Sequence, residues 1–173
     1  MNFLVGGICK PYLGLRSAEY VALTRELTTI THNAWKIDFN KSLDQYAKTD
    51  LRGVCSLLDL AAECINYIWF NFISTIGAVR DTPKGQIIEQ VGDESSAAQP
   101  MGYTESNFVA ERLVAVATDR DVIDATICRI GQVAGSTTEE GVWSGHDWFP
   151  TLVACSAAIG KLSDSLGTFS TID

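Results

Sequence analysis

The sequence predicts an α/β fold with a parallel sheet flanked by helices. Helical stretches with apolar residues at a 3.6 spacing alternate with short β-branched and aromatic runs, and no internal repeat interrupts the alternation. The chain has 173 residues, 46% of them hydrophobic and 20% charged, which suits one domain, 1–173, with a real core. The net charge of -8 comes with no basic block, so a nucleic-acid partner is not expected.

Leu4–Ile8 is a short apolar run broken by Gly6-Gly7, read as a strand end before the loop Cys9–Leu15. Ser17 is the expected N-cap of a helix over Ala18–Thr28, with Tyr20 three residues on in place of a capping-box Glu. Thr29–His32 is a brief buried strand that runs into Asn33, Ala34 and Trp35. Ile37–Tyr46 reads as a loop with one helical turn, and Thr49 or Asp50 as the cap of the next helix. Leu51, Val54, Cys55, Leu58, Ala61, Ala62 and Ile65 then form one apolar stripe. Ile68–Ser74 is a central strand whose end carries Ser74-Thr75, and Asp81–Pro100 is a long loop.

A helix starts at Gly102 with an exposed tyrosine. Val109, Leu113, Val116 and Ala117 are its expected core face, and Tyr103 and Asn107 lie one turn apart on a single face. Val122–Cys128 is the third buried strand, and Arg129-Ile130-Gly131-Gln132 leads out of it. After the polar stretch Gly135–Gly145, Asp147 caps a last helix through about Lys161, with the tail from Ser165 beyond it.

Five cysteines at wide spacing, with no C-x-x-C pair, read as buried reduced thiols. His32 and His146 have no metal-ligand spacing. The start has no basic n-region or long apolar h-region, and Ile65–Ile76 is too short and polar to span a membrane, so a cytoplasmic location is expected.

The segments LGLRSAEY, THNAWKIDFN, LRGVCSLLDLA, FISTIGAV, GYTESNFVAERL, RIGQVAG and WSGHDWFPTLVACSAAIGKLSDSLG occur in this order. Together they resemble the terminal thioester reductase domains of fungal nonribosomal peptide and polyketide synthetases and of adenylate-forming reductases. These are extended short-chain dehydrogenases of the male-sterility type. The resemblance implies a Rossmann-like fold, NADPH as cofactor, and reduction of an acyl thioester on a carrier protein to an aldehyde. It implies Tyr103 as proton donor, with Thr75, then Ser74, as its hydroxyl partner, and a one-residue shift would bring Ile76 there instead. It places Asn33 and Ala34 along the cofactor, and Arg129 and Gly131 near the nicotinamide.

The chain departs from that family at four places. No G-x-x-G-x-x-G loop is present in these residues, so a partial Rossmann-like sheet lacking the first βαβ glycine-loop region is expected. Gly7 stands where the family has an Asp on the adenine side. Asn107 stands where the family has the lysine that lowers the tyrosine pKa. The chain also ends where the family continues into a substrate-binding part.

The expectation is a degenerate, inactive relative of the reductases. An active reductase working with a companion chain, or a cofactor-free cyclase or hydrolase using Tyr103, are the alternatives. The first strand is expected to be an open apolar sheet edge, covered by the N-terminal segment, a second copy, or another protein such as a carrier protein or synthetase.

Plain structural readings stand beside these roles. Tyr103 can bridge surface and core, Ser74-Thr75 can be loop entry, Asn33 a turn residue, and Arg129 a snorkelling or carboxylate-paired cation. Trp143 and Trp148, placed by the resemblance at a substrate mouth, can anchor a loop, and Glu139-Glu140 and Asp119/Asp121 can be solvated.

Overall fold

The computed structural model describes residues 3–82, 87, 89–136, 138 and 141–162. The chain forms two compact units, Met1–Ile130 and Gly131–Asp173. Each is described by itself.

The first unit is built on three parallel strands in the order β1-β2-β3: β1 Thr29–His32, β2 Ile68–Thr75 and β3 Ile123–Ile130. Helix α1 is Ser17–Glu26, α2 Leu43–Tyr46, α3 Arg52–Glu63 and α4 Gly102–Asp119. Alternation along β2 sends Ile68, Phe70, Phe72 and Ser74 to one buried face. There they meet Val54, Leu57 and Ala61 of α3 and Ala110, Val114 and Ala117 of α4, which form the core with Ile123. On the opposite face polar side chains knit the strands together. The Trp69 indole donates to Asn71 Oδ1 at 3.0 Å, and the Asn71 amide donates to Thr31 Oγ1 at 3.4 Å.

Several elements differ from the sequence expectation. Leu4–Ile8 forms no strand, because no neighbouring strand offers it a ladder. Arg16, not Ser17, precedes the first helical residue, and its N–H donates to Glu19 three residues on. The turn expected within Ile37–Tyr46 is the start of a long helical run. Its cap is Ser42, whose backbone N–H donates to Gln45 Oε1 at 2.9 Å in an S-x-x-Q capping box. A π-helical segment, Ala47–Leu51, joins α2 directly to α3, so Thr49 and Asp50 lie inside the run and cap nothing. The π turn shifts the phase of α3. Its buried face is Val54, Leu57, Leu60 and Ala61, with Leu51 buried just before it, while Cys55 and Ala62 are exposed, as is Ile65 beyond the helix end. In α4 the core face is Phe108, Ala110, Val114 and Ala117, and Val116 is exposed. The cysteines are free, but Cys55 and Cys155 are exposed and the other three only partly buried. β1 is an edge strand, and the edge is polar rather than apolar, with Thr29 and Thr31 exposed.

In the second unit α5 spans Trp148–Ile159 and ends at Gly160, which takes the left-handed conformation at φ 70° that suits glycine. Asp147 sits at the N-cap position, yet its carboxylate accepts from the Trp143 indole at 2.7 Å instead of capping. Trp143 stacks on Phe149 at 5.4 Å, and the Trp148 indole donates to Gln132 Oε1 at 2.6 Å. Both tryptophans thus organise the loop before α5. Glu139-Glu140 and the tail from Ser165 lie outside the described residues. Among the described residues, no helix is long and apolar enough to cross a membrane.

His32, the last residue of β1, is 3% exposed and stacked 5.9 Å from Phe72, with its Nε2 unpartnered. Burial holds its pKa below the usual histidine value, and the Asp50 carboxylate only partly opposes this. The unfolded chain therefore takes up the proton first. The stability His32 contributes is complete above the free-histidine range near ~6.5 and is lost as pH falls through the lower folded value. Melting curves between pH 5 and 8 are expected to show a smaller acid-side loss in His32→Phe than in the unaltered protein. Parallel curves would assign the acid sensitivity elsewhere.

Candidate functional site

In open α/β sheets, side chains from different strands converge beyond the carboxyl ends of the strands, and there the chain leaves unpaired polar groups. Here β1 ends at His32 and β2 at Thr75, so Asn33 and Ala34, both exposed, leave the sheet beside the strand that carries Ser74-Thr75. α4 begins at the same end of β2. Gly77 makes that approach possible, since a Cβ on it would lie 2.5 Å from Thr104 Cγ2. The join is locked by Gln99 N–H donating to the Gly77 carbonyl at 3.0 Å, and by the Thr104 hydroxyl on the Met101 carbonyl at 2.8 Å.

The alternation of β2 divides the two hydroxyls. Ser74 points into the core and donates to Glu111 Oε1 at 2.6 Å. Thr75 stays at the edge, near the Tyr103 phenol, and its hydroxyl accepts from Gly77 N–H at 3.3 Å. Tyr103 is half-buried in the first turn of α4, not the exposed tyrosine the sequence implied. Burial raises its pKa above the ordinary tyrosine value, and the nearby Thr75 hydroxyl works against that rise. Of the two hydroxyls, Thr75 is thus the one at Tyr103, and Ser74 is committed elsewhere.

Asn107 is 1% exposed, and its amide donates to the Tyr103 carbonyl at 2.9 Å, one helical turn back. The amide is therefore used on the backbone of its own helix. One turn further on is Glu111, which is fully buried. Arg129 meets it with Nη2 at 2.8 Å from Oε2 and Nε at 3.1 Å from both oxygens, and donates from Nη2 to the Gln90 carbonyl at 3.0 Å. Arg129 is thus a carboxylate partner within the first unit. Gly131 is the first residue of the second unit.

Glu111 escaped the sequence reading. Its signal was the stripe Tyr103, Asn107, Glu111, three residues four apart on one helix face. Gly102 also escaped it. A Cβ there would run into the Lys41 carbonyl and lie 2.6 Å from Ser42 C, so only glycine lets α4 start against that turn. Two clefts lie away from this edge, one lined by Cys64, Tyr67 and Asp121 and the other by Tyr12, Tyr20 and Glu63, and neither contains Tyr103 or Thr75.

The hydroxyls of Thr75 and Tyr103 lie at the same end of β2, with the exposed Asn33-Ala34 segment leaving the neighbouring strand. Four residues on from Tyr103 the helix carries a neutral, buried amide.

A family profile described as Male sterility protein, an NAD-binding domain, matches residues 1–172. A carboxylic acid reductase of Neurospora crassa is 32% identical over 162 residues, which cover 93% of this chain and 15% of that protein. Of the solved structures, the terminal R domain from the myxalamid PKS-NRPS biosynthetic pathway is similar at a TM-score of 0.75 and 28% identity, covering 91% of this chain and 40% of that one. A thiolation-reductase di-domain from an archaeal non-ribosomal peptide synthetase shares the fold at a TM-score of 0.72 and 19% identity, over 95% of this chain and 35% of the other. The chain thus spans well under half the length of each.

Removing one partner from the buried pair leaves a charge without compensation. Arg129→Leu is expected to lower unfolding stability in urea by about 3–5 kcal/mol, and Ser74→Ala by about 1.5–3 kcal/mol. A loss below about 1 kcal/mol for Arg129→Leu would show that Glu111 finds another partner.

Proposed function

The chain belongs to the male sterility protein family of NAD-binding domains, and from that premise we propose that it is a degenerate, catalytically silent relative of the thioester reductase domains of secondary-metabolite synthetases. The observation that supports the proposal is that Asn107, which the resemblance sets at the lysine position, is buried, uncharged and bonded to the Tyr103 carbonyl.

In a reductase of this kind a bound NADPH supplies hydride to a carrier-bound acyl thioester. The residues of this chain would hold the carbonyl oxygen, with Thr75 and Tyr103 as donors. The phenol would then pass its proton to that oxygen and recover one from solvent. Proton transfer is most effective when the donor pKa lies near the working pH. A lysine ammonium lowers a phenol toward that range by direct charge interaction, and an amide has no such effect. Burial moves Tyr103 the other way. What is retained is a neutral hydrogen-bonding pair at the end of β2, fit to bind an oxygen and poorly fit to exchange a proton with it.

On this reading the chain keeps a docking role toward a carrier protein or synthetase. The support is the structurally similar archaeal di-domain, in which a thiolation and a reductase domain are joined. The β1 edge, with Thr29 and Thr31 exposed and a strand on one side only, offers backbone groups to a second copy or a partner strand. The retained Thr75–Tyr103 pair is what favours the second reading, an active reductase that draws further residues from a companion chain.

With NADPH and an acyl-pantetheine thioester, turnover by the unaltered protein is expected at background. Asn107→Lys should raise it on the order of 10²-fold and tighten NADPH binding read by nicotinamide fluorescence, and Tyr103→Phe should erase the gain. Turnover by the unaltered protein that disappears in Tyr103→Phe would overturn the proposal. Tyr103-dependent turnover without NADPH would instead identify a cyclase or hydrolase.

A further inference from the structure

We infer that Tyr46 is a positioning residue for Tyr103, acting through the turn Lys36–Lys41 and the ring of Phe39. The inference rests on Tyr103 being the reactive hydroxyl of the site, as proposed above, but not on whether that hydroxyl still works.

Tyr46 is completely buried at the end of α2, where the π turn begins. Its hydroxyl takes part in three contacts with one short stretch of backbone. It donates toward the Lys36 carbonyl at 2.8 Å and the Asp38 carbonyl at 2.9 Å, and it accepts from Asp38 N–H at 3.1 Å. A hydroxyl has one proton and two acceptor lone pairs, so this site uses nearly all of its capacity on the turn. Asp50, inside the π turn, accepts from Lys36 N–H at 3.3 Å and ties the same stretch from a second side. The turn closes on itself through Asp38, whose side chain accepts from Asn40 N–H at 3.2 Å and whose carbonyl accepts from Lys41 N–H at 3.2 Å.

The far end of the turn abuts the start of α4, where Gly102 leaves no room for a Cβ beside Lys41 and Ser42. Its middle carries Phe39, 62% exposed, edge-on to Tyr103 at 5.6 Å and 81°. The Tyr46 ring itself contacts Tyr103 at 6.3 Å. Tyr103 is therefore held between two aromatic rings, one directly packed and one delivered by the turn that Tyr46 anchors. The Phe39 ring is thus packed edge-on against Tyr103 by the turn that Tyr46 holds. Burial holds the Tyr46 phenol above the ordinary tyrosine value, with the Asp50 and Asp38 carboxylates acting the same way, so it is a poor source of charge for Tyr103; the Lys41 ammonium lies 4.8 Å from its ring centre.

The test is the ionisation of Tyr103 alone, tracked by the 13Cζ shift in tyrosine-labelled full chain and assigned with Tyr103→Phe. Tyr46→Phe removes one oxygen and keeps the ring, and Phe39→Ala removes the cover and keeps the clamp. Both are expected to move the Tyr103 midpoint down, each by about threefold in the acidity constant, because each lets water reach the phenol. The double variant should move it no further than the larger single change, since both act along one path. Tyr67→Phe, whose hydroxyl bonds Asp121 elsewhere in the unit, should leave it unmoved. A melting temperature lowered by Tyr46→Phe with the Tyr103 midpoint unchanged would make Tyr46 a structural residue only and overturn the inference. Should Tyr46→Phe fail to fold, Phe39→Ala and Phe39→Leu decide it, and an unmoved midpoint in both would overturn it equally. The readout needs neither nucleotide nor turnover, so an active reductase would refute the silent-relative proposal and leave this one standing.

Discussion

The buried carboxylate of Glu111 is the constraint on which the candidate site depends. It is fully buried, and it gathers the end of β2 through Ser74, the end of β3 through Arg129, and, by way of Arg129, the Gln90 carbonyl of the long loop. A charge in a core is tolerated only with such partners. Thr75 is the residue after Ser74, and Tyr103 lies two turns before Glu111 on the same helix face. The position of the two hydroxyls is therefore set from below by an ion pair that neither of them joins.

The strands and α4 were legible because apolar, β-branched runs bounded by polar loops have few other solutions. The phase of α3 was not. Of the seven-residue stripe from Leu51 to Ile65, Leu51, Val54 and Ala61 are buried, but after the π turn at Ala47–Leu51 Cys55 and Ala62 face outward, and the helix ends at Glu63, short of the exposed Ile65. The Ser42–Gln45 capping box was in plain sight and lost to Thr49 and Asp50, which look like caps until the helix is seen to pass through them. Leu4–Ile8 looked like a strand because β pattern is local, whereas a strand needs a neighbour.

The candidate site rests on the family resemblance for Tyr103, Thr75 and Asn107, and the structure sets Tyr103 and Asn107 one turn apart on α4. A carboxylate partner for Arg129 was one of the readings, but that it is Glu111 was not legible, because an acid in a mixed helix normally marks a solvated face and only the fold shows that this face is inward. Phe39 and Tyr46 carry no motif. Their role depends on a turn closing over the start of α4, which depends in turn on Gly102 having no side chain. Long-range closeness of this kind has no periodic signature.

On the proposed reading the chain keeps the hydroxyl pair of a reductase scaffold and places an amide where a charge would activate it. The most direct measurement is the pH at which Tyr103 ionises in the unaltered protein, read from its own 13Cζ resonance. A midpoint above the ordinary tyrosine value of ~10 is expected, because burial without a neighbouring cation destabilises the phenolate. A midpoint pulled well below that value, toward neutrality, would mean that another positive group does the work of the missing lysine, and would contradict the view of Tyr103 as a silent hydroxyl.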